Sequence, residues 1–289
     1  MVLAKIQENI AAYKAWLKKE RAFPAAYQWE ILQTAQQHWD LTANPLSHML
    51  DQCLQNSHSR RLWQDGNWQP KRMMMLFMDF EPEMVRAMFE DLFNEKHAAE
   101  NRASRFVFGC DALLAEYKRA NPTSIENNHD HGDFRMVALY LALQFPEQYA
   151  PYDFEHFREA LIRLGARDIP ELNDLGRYFK VLRTLMTFIE KDEELPALIA
   201  PYLKAHKHFQ GRTAWLAADY LRFIAERDDN NHLKVKPWAF SGRVFQLIRA
   251  SHAPLPVDQA NLYTVPSLQL IRPICTPCIR QAWLTRPDI

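Results

Sequence analysis

The densest group of reactive side chains in this sequence is the segment 127–133, which reads NNHDHGD. Imidazole nitrogens and carboxylate oxygens are ligands that proteins offer to zinc and other transition metals. The segment is therefore a candidate metal site. The alternative, which the sequence favours, is a polar loop between two helices in which Asp130 or Asp133 caps the helix that follows.

Two patterns of metal-dependent hydrolases can be compared with this segment. The HxHxDH pattern of metallo-β-lactamase-like enzymes is rejected, because it needs a histidine where this chain has Phe134 and also needs a strand-rich fold. An HD-type phosphohydrolase is all-helical and would use the pair His129 and Asp130. His97 and Asp219 could supply the earlier histidine and the later aspartate of such a site. A metal-dependent phosphohydrolase is therefore the alternative function.

A second segment, 60–72, combines cations with aromatic rings around an Asp-Gly turn. Nucleic-acid surfaces use this combination, because aromatic faces stack on bases while cations neutralise phosphate groups. The candidate contact residues are the four cations and two tryptophans of the segment: Arg60, Arg61, Trp63, Trp68, Lys71 and Arg72. The competing and favoured interpretation is that the tryptophans anchor the loop on the protein body while the arginines face water.

No other pattern in the sequence indicates a catalytic site. Cys275 and Cys278 have CxxC spacing, but no second ligand pair and no βαβ unit accompanies them, as a zinc or redox site would require. The chain has only 7 glycines, and none forms a GxGxxG or Walker A motif, which excludes both phosphate-binding loops. No serine lies in a GxSxG elbow. We therefore predict no catalytic residue and no cofactor.

The formal net charge of zero conceals two regions of opposite sign. Residues 1–231 contain 28 basic and 33 acidic groups, whereas residues 232–289 contain 7 basic and 2 acidic groups together with 7 of the 17 prolines. We predict a helical domain over 1–231 and an irregular, basic, proline-rich tail over 232–289, which is either a linker or a non-native sequence. Because the domain is acidic, a large DNA-binding face is not expected on it.

The elements that position these segments are predicted to be helices. Apolar residues recur at spacings of three and four, as in the opening segment 6–17, and no strand pattern competes before residue 232. The scarcity of glycine agrees with an all-α domain of roughly ten helices. Further helices are predicted over 25–39, 98–120, 134–145, 154–164, 175–189, 195–206 and 213–226, with shorter ones opening near Pro45, Pro70 and Pro82.

Cysteine content and hydropathy indicate a cytoplasmic protein without a membrane partner. Four cysteines are too few for a disulfide scaffold in a chain of 289 residues. No run of 18 apolar residues is present, and charged residues interrupt the apolar residues of the N-terminal segment 1–19, unlike those of a signal peptide.

Several stretches of the first region resemble the long helical N-terminal region of McrB-like proteins, the AAA+ motor subunits of modification-dependent restriction systems. The resemblance covers residues 5–226 and stops where the composition changes. The stretches that carry it are 27–30, 36–40, 61–68, 70–73, 104–111, 133–136 and 145–149, followed by Tyr152 and Phe154.

The resemblance implies a non-enzymatic recognition or adaptor module of an anti-phage restriction system. Its implied partners are DNA, a restriction motor or a nuclease subunit. The motor that follows this region in such proteins is not found in the sequence, and no base-pocket residue can be carried over. Segment 60–72 is therefore the candidate contact surface.

Overall fold

The computed structural model describes residues 1–227, and this part of the chain is all-helical, as predicted. It contains twelve α-helices and no strand, apart from an isolated bridge between Asp65 and Trp68. None of these helices combines the length and apolar character needed to cross a membrane. The tail predicted over 232–289, including Cys275 and Cys278, lies outside the described residues.

The helices follow one another along the chain and are joined by loops of one to fifteen residues. Most begin and end close to the limits predicted from apolar spacing. In chain order they are α1 (Leu3–Glu20), α2 (Ala26–His38), α3 (Leu46–Cys53), α4 (Arg60–Trp63), α5 (Pro70–Phe80), α6 (Pro82–Phe93), α7 (Ala99–Ala120), α8 (Arg135–Gln144), α9 (Phe154–Arg163), α10 (Leu175–Ile189), α11 (Glu194–Ile199) and α12 (Trp215–Glu226).

Prolines explain where several helices begin and end. Pro70 and Pro82 are the first residues of α5 and α6, where a missing backbone N–H leaves no helical hydrogen bond unmade. The helix predicted over 195–206 is too long, since α11 ends at Ile199 and gives way to a 3-10 turn that contains Pro201. A proline at that position cannot donate the next helical hydrogen bond.

Helix α8 forms the centre of the core. Its residues from Met136 to Leu143 are at most 1% exposed, and they pack against α2, α4, α6 and α7. A helix that is apolar on every face is stable only when it is surrounded in this way. The loop that leads into α8, which contains segment 127–133, is therefore attached to the most buried helix of the domain.

Helices α6 and α7 approach each other closely at Gly109. A Cβ atom at this position would lie 2.8 Å from the Sδ and Cε atoms of Met88 in α6. The absence of a side chain at Gly109 therefore allows the two helices to pack tightly. The next residue, Cys110, lies on the same buried side of α7 as Phe106 and Leu113.

Candidate functional site

The segments 60–72 and 127–133 contact each other in the structure. Trp68 donates a hydrogen bond from its indole Nε1 to the backbone oxygen of Asp130, at 3.0 Å. The backbone N–H of Gln69 donates to Oδ2 of Asp130, at 2.8 Å. The two segments therefore form one structural unit, which we call the loop junction.

Asp130 is the central residue of the loop junction. Its φ angle of 61° lies in the left-handed region, which aspartate adopts more readily than most residues. Its carboxylate binds an N–H at the start of α5, while Asp133 accepts a hydrogen bond from the backbone N–H of Arg135, the first residue of α8. The sequence predicted that Asp130 or Asp133 would cap the helix after this loop. Asp133 binds the first N–H of that helix, α8, whereas Asp130 binds the N–H of Gln69, just before α5. Burial raises the pKa of Asp130, although the bond from Gln69 partly opposes this.

Three of the six candidate contact residues anchor the loop. Trp68 is only 3% exposed, and the guanidinium of Arg135 lies 3.8 Å from the centre of its ring. Lys71 is 8% exposed, forms an ion pair of 2.7 Å with Asp51, and places Nζ 5.0 Å from the Trp63 ring. The faces of these tryptophans are therefore occupied by cations of the protein itself, which disfavours them as platforms for bases.

The other three candidates are the arginines, and all of them are exposed. Arg72 forms a two-bond ion pair with Glu126, with N–O distances of 2.8 and 2.6 Å. Arg60 and Arg61 lie on α4, a single turn that the sequence did not predict. The guanidinium of Arg61 lies 4.8 Å from the centre of the Tyr27 ring, which holds this side chain against α2.

The four residues of the predicted HD-type metal site do not come together. His97 is exposed in the turn before α7. Asp219 is buried in α12, where it accepts a hydrogen bond from the Tyr13 hydroxyl at 2.6 Å and pairs with Arg222 at 2.6 Å. His129 and Asp130 lie in the loop junction and bind other partners, so the described residues do not fit an HD-type metal centre.

Within the part of the chain that the structure describes, a different set of side chains that can bind metals lies close together. Cys110, His129 and His131 each offer a sulfur or ring nitrogen, and these atoms lie within 4.8 Å of one another. Cys110 comes from α7, and the two histidines flank Asp130 in the loop junction. All three side chains are buried. We call these residues the Cys-His-His group.

Sequence reasoning identified the two histidines of this group and missed the cysteine. The available signal was the apolar spacing of Ala103, Phe106, Cys110 and Leu113, which places all four on one face of α7. That spacing indicates a buried sulfur. It does not indicate which loop covers the sulfur, because that loop follows later in the chain.

Hydrogen bonds fix the orientation of both imidazoles. Nε2 of His129 lies 3.0 Å from a carboxylate oxygen of Asp111, and its Nδ1 accepts a hydrogen bond of 3.1 Å from the backbone N–H of His131. Nδ1 of His131 contacts the carbonyl oxygen of His129, and its Nε2 lies 3.2 Å from the hydroxyl of Tyr140.

Burial keeps His131 and Cys110 uncharged. Burial and the neighbouring His129 lower the pKa of His131 to about 3, so its imidazole is neutral at physiological pH. Burial also raises the pKa of the Cys110 thiol and of the Tyr140 hydroxyl. His131, Cys110 and Tyr140 therefore offer neutral nitrogen, sulfur and oxygen donors in an apolar setting, between α7 and the start of α8.

Comparison of the chain with protein-family models, with curated proteins and with solved structures finds no match. Within residues 1–227, two features remain as candidate sites. These are the exposed arginines of the loop junction and the buried Cys-His-His group.

Proposed function

We propose that the helical domain is a non-enzymatic recognition module, similar to the N-terminal region of McrB-like restriction proteins, that binds DNA or a partner protein. The contact surface of the proposal is the exposed part of the loop junction, centred on Arg60 and Arg61. The observation that carries the proposal is the packing of the Arg61 guanidinium over the Tyr27 ring, beside a loop that Trp68 and Gln69 anchor on Asp130, because it holds an exposed cation on a fixed support.

The two arginines of α4 differ from most arginines of the domain. Within residues 1–227 neither Arg60 nor Arg61 forms an ion pair, whereas Arg72 is neutralised by Glu126. An exposed guanidinium without a carboxylate partner is free to bind a phosphate or a carboxylate of another molecule. The Tyr27 ring restricts the movement of Arg61, which lowers the entropy lost on binding.

The acidity of the surrounding domain limits the size of the proposed contact. Since the net charge of residues 1–231 is negative, a long stretch of DNA would be repelled outside the loop junction. A short contact of a few phosphates, or a carboxylate-rich surface on a partner protein, suits two neighbouring arginines better. A restriction motor or a nuclease subunit is the partner protein that the resemblance implies.

The proposal places this module in the cytoplasm, where restriction systems meet foreign DNA. Cys53 and Cys110 support this location, since both are buried free thiols. Reduced cysteines are the rule in the cytoplasm.

DNA binding should be measured by fluorescence anisotropy with a short labelled duplex over a range of salt concentrations. The double variant Arg60→Ala/Arg61→Ala should weaken binding by about tenfold or more and lower the slope of log K against log salt by about 2. The matched control is Arg158→Ala/Arg167→Ala, which removes two exposed cations from elsewhere on the domain.

Equal losses in the two double variants would contradict a contact at α4. If the wild-type chain shows no salt-dependent binding, DNA is excluded as the partner of this surface. Co-purification with a co-expressed restriction motor subunit then tests the partner-protein form, and the α4 variant should reduce it more than the control variant does.

The alternative function, a metal-dependent phosphohydrolase that uses His129 and Asp130, has no support from the arrangement of His97 and Asp219, and an activity assay tests it directly. Hydrolysis of p-nitrophenyl phosphate and of cyclic nucleotides should be assayed with added Mn²⁺, Fe²⁺ or Zn²⁺. Turnover that disappears in Asp130→Asn would favour the enzyme over the recognition module. Bound metal alone does not separate the two functions, because His129 also belongs to the Cys-His-His group.

A further inference from the structure

We propose that Cys110, His129 and His131 form a binding site for a transition-metal ion, with Zn²⁺ as the expected ion, and that this ion links α7 to the loop junction. The site uses only His129 of the HD-type set considered above. It also does not depend on whether Arg60 and Arg61 bind DNA.

The donor set is appropriate for zinc. One thiolate and two imidazoles are a combination that zinc accepts in proteins, with bonds of about 2.3 Å to sulfur and about 2.0 Å to nitrogen. Ligands around a tetrahedral ion with these bond lengths are roughly 3.3 to 3.6 Å apart. One ligand atom from each residue already lies within 4.8 Å of the other two, so closing the site requires these atoms to approach one another by about 1 Å.

Hydrogen bonds around the group match those found around metal-bound histidines. Such a histidine usually donates its second ring N–H to a carboxylate or a backbone carbonyl. His129 has the Asp111 carboxylate 3.0 Å from Nε2, and His131 has a backbone carbonyl against Nδ1. These contacts leave His131 Nε2 and His129 Nδ1 as the ligating atoms. At His129 the metal bond would replace the hydrogen bond from the His131 N–H.

The burial of the group favours a structural metal ion over a catalytic ion that contacts a substrate. Cys110 and His131 are fully buried, and His129 is 5% exposed. The Tyr140 hydroxyl, 3.2 Å from His131 Nε2, is an oxygen available for the fourth position, which a water molecule could also fill. Binding would release the thiol proton of Cys110, since thiolate is the form that binds the metal.

Because the two histidines flank Asp130, a bound ion would affect the structure of the loop junction. The backbone oxygen and carboxylate of Asp130 hold Trp68 and Gln69. An ion held between α7 and both histidines would therefore fix Asp130 and, through it, segment 60–72. Loss of the ion should loosen the loop junction without unfolding the helices.

The test uses the full chain, expressed with added zinc and then exchanged into Co²⁺. The wild type should carry about one zinc per chain, and the cobalt form should show the near-ultraviolet charge-transfer band of a thiolate ligand. Cys110→Ser, which preserves the size of the side chain, should lose that band and most of the bound metal. Circular dichroism should show unchanged helix content in this variant.

Two controls separate this site from other cysteines of the chain. Cys53→Ser changes the other buried thiol of the described residues, and Cys275→Ser/Cys278→Ser removes the CxxC pair outside them. Both should retain the metal and the charge-transfer band. A wild type without bound metal, or metal that is lost with Cys275 and Cys278 but kept in Cys110→Ser, would overturn the proposal.

Discussion

Asp219 in α12 and His131 in the loop junction are almost equally buried, at 1% and 0% exposure, yet their surroundings differ. The carboxylate of Asp219 is matched by a cation and by a hydroxyl donor. The imidazole of His131 is surrounded by the imidazole of His129, a thiol and a phenol. The presence or absence of a charged partner therefore distinguishes buried polar groups that stabilise the fold from those that could bind a ligand.

The charged network around Asp219 links three helices. Asp219 accepts a hydrogen bond from the Tyr13 hydroxyl of α1 and pairs with Arg222, which also pairs with Glu226 at 3.2 Å. His156 of α9 lies 3.3 Å from Glu226. Each charge has an opposite charge beside it, so the network explains its own burial and needs no ligand.

The Cys-His-His group has no such internal balance. The thiol of Cys110 and the imidazole of His131 are uncharged, and one ligand atom of each of the three residues lies within 4.8 Å of the others, between α7 and the loop junction. A thiol and two imidazoles that lie this close together are ligands suited to a transition-metal cation. We therefore interpret the network around Asp219 as part of the fold and the Cys-His-His group as a site.

The largest expected effect comes from breaking the charged network. Asp219→Ala should lower the free energy of unfolding by about 3 kcal/mol, because it leaves the buried Tyr13 hydroxyl without its acceptor and the half-buried Arg222 with Glu226 alone. Urea unfolding followed by circular dichroism measures this change. The loss should be the same with and without zinc. A loss below about 1 kcal/mol would mean that water replaces the carboxylate and that the network is not a structural link.

The second largest expected effect is the gain in unfolding free energy when zinc binds. At free zinc about 100 times the dissociation constant, the wild type should gain about 2.7 kcal/mol of stability, since only the folded chain has the assembled site. Cys110→Ser should show little of this gain, and Cys53→Ser should show all of it. Urea unfolding with and without zinc measures the gain. An equal zinc effect in both variants would contradict the distinction between the two buried groups.

The smallest expected effect is the pH dependence of the contribution that His156, in the charged network, makes to the free energy of unfolding. Burial lowers the pKa of His156, but the bond to Glu226 and the charge of Asp153 outweigh it and raise the pKa above its usual value. The charged form therefore stabilises the fold at low pH, and this contribution is lost as pH rises above about 6.5 and passes the raised pKa.

The variant His156→Gln isolates this pH dependence. The difference in unfolding free energy between wild type and variant should be about 1 kcal/mol or less at pH 5.5 and should decrease toward pH 8.5. Urea unfolding at these two pH values, at constant ionic strength, gives the comparison. A difference that grows with pH would mean that His156 is neutral in the folded state.

Much of the fold could be predicted from the sequence, because helices leave a local pattern. Apolar spacing located α1, α7 and α10, and prolines located the starts of α5 and α6. The single turn of α4 was missed, since four residues are too few to show a period of 3.6. The prediction of a helix beyond Ile199 failed because the apolar pattern was followed past Pro201.

Less of the site could be predicted, because its contacts join distant parts of the chain. Segments 60–72 and 127–133 were each selected for their chemistry, but nothing local indicates that Asp130 binds Trp68 and Gln69. The tryptophans were expected to anchor the loop, and Trp68 does so. The partner of Asp219 was also unpredictable, since Tyr13 lies 206 residues earlier in the chain.

The most direct test of the distinction between the two buried groups is X-ray absorption spectroscopy at the zinc edge of the zinc-loaded full chain. A site made by Cys110, His129 and His131 predicts one sulfur at about 2.3 Å and two or three nitrogen or oxygen ligands at about 2.0 Å. Two or more sulfur ligands, or a zinc shell made only of oxygen and nitrogen, would contradict the assignment.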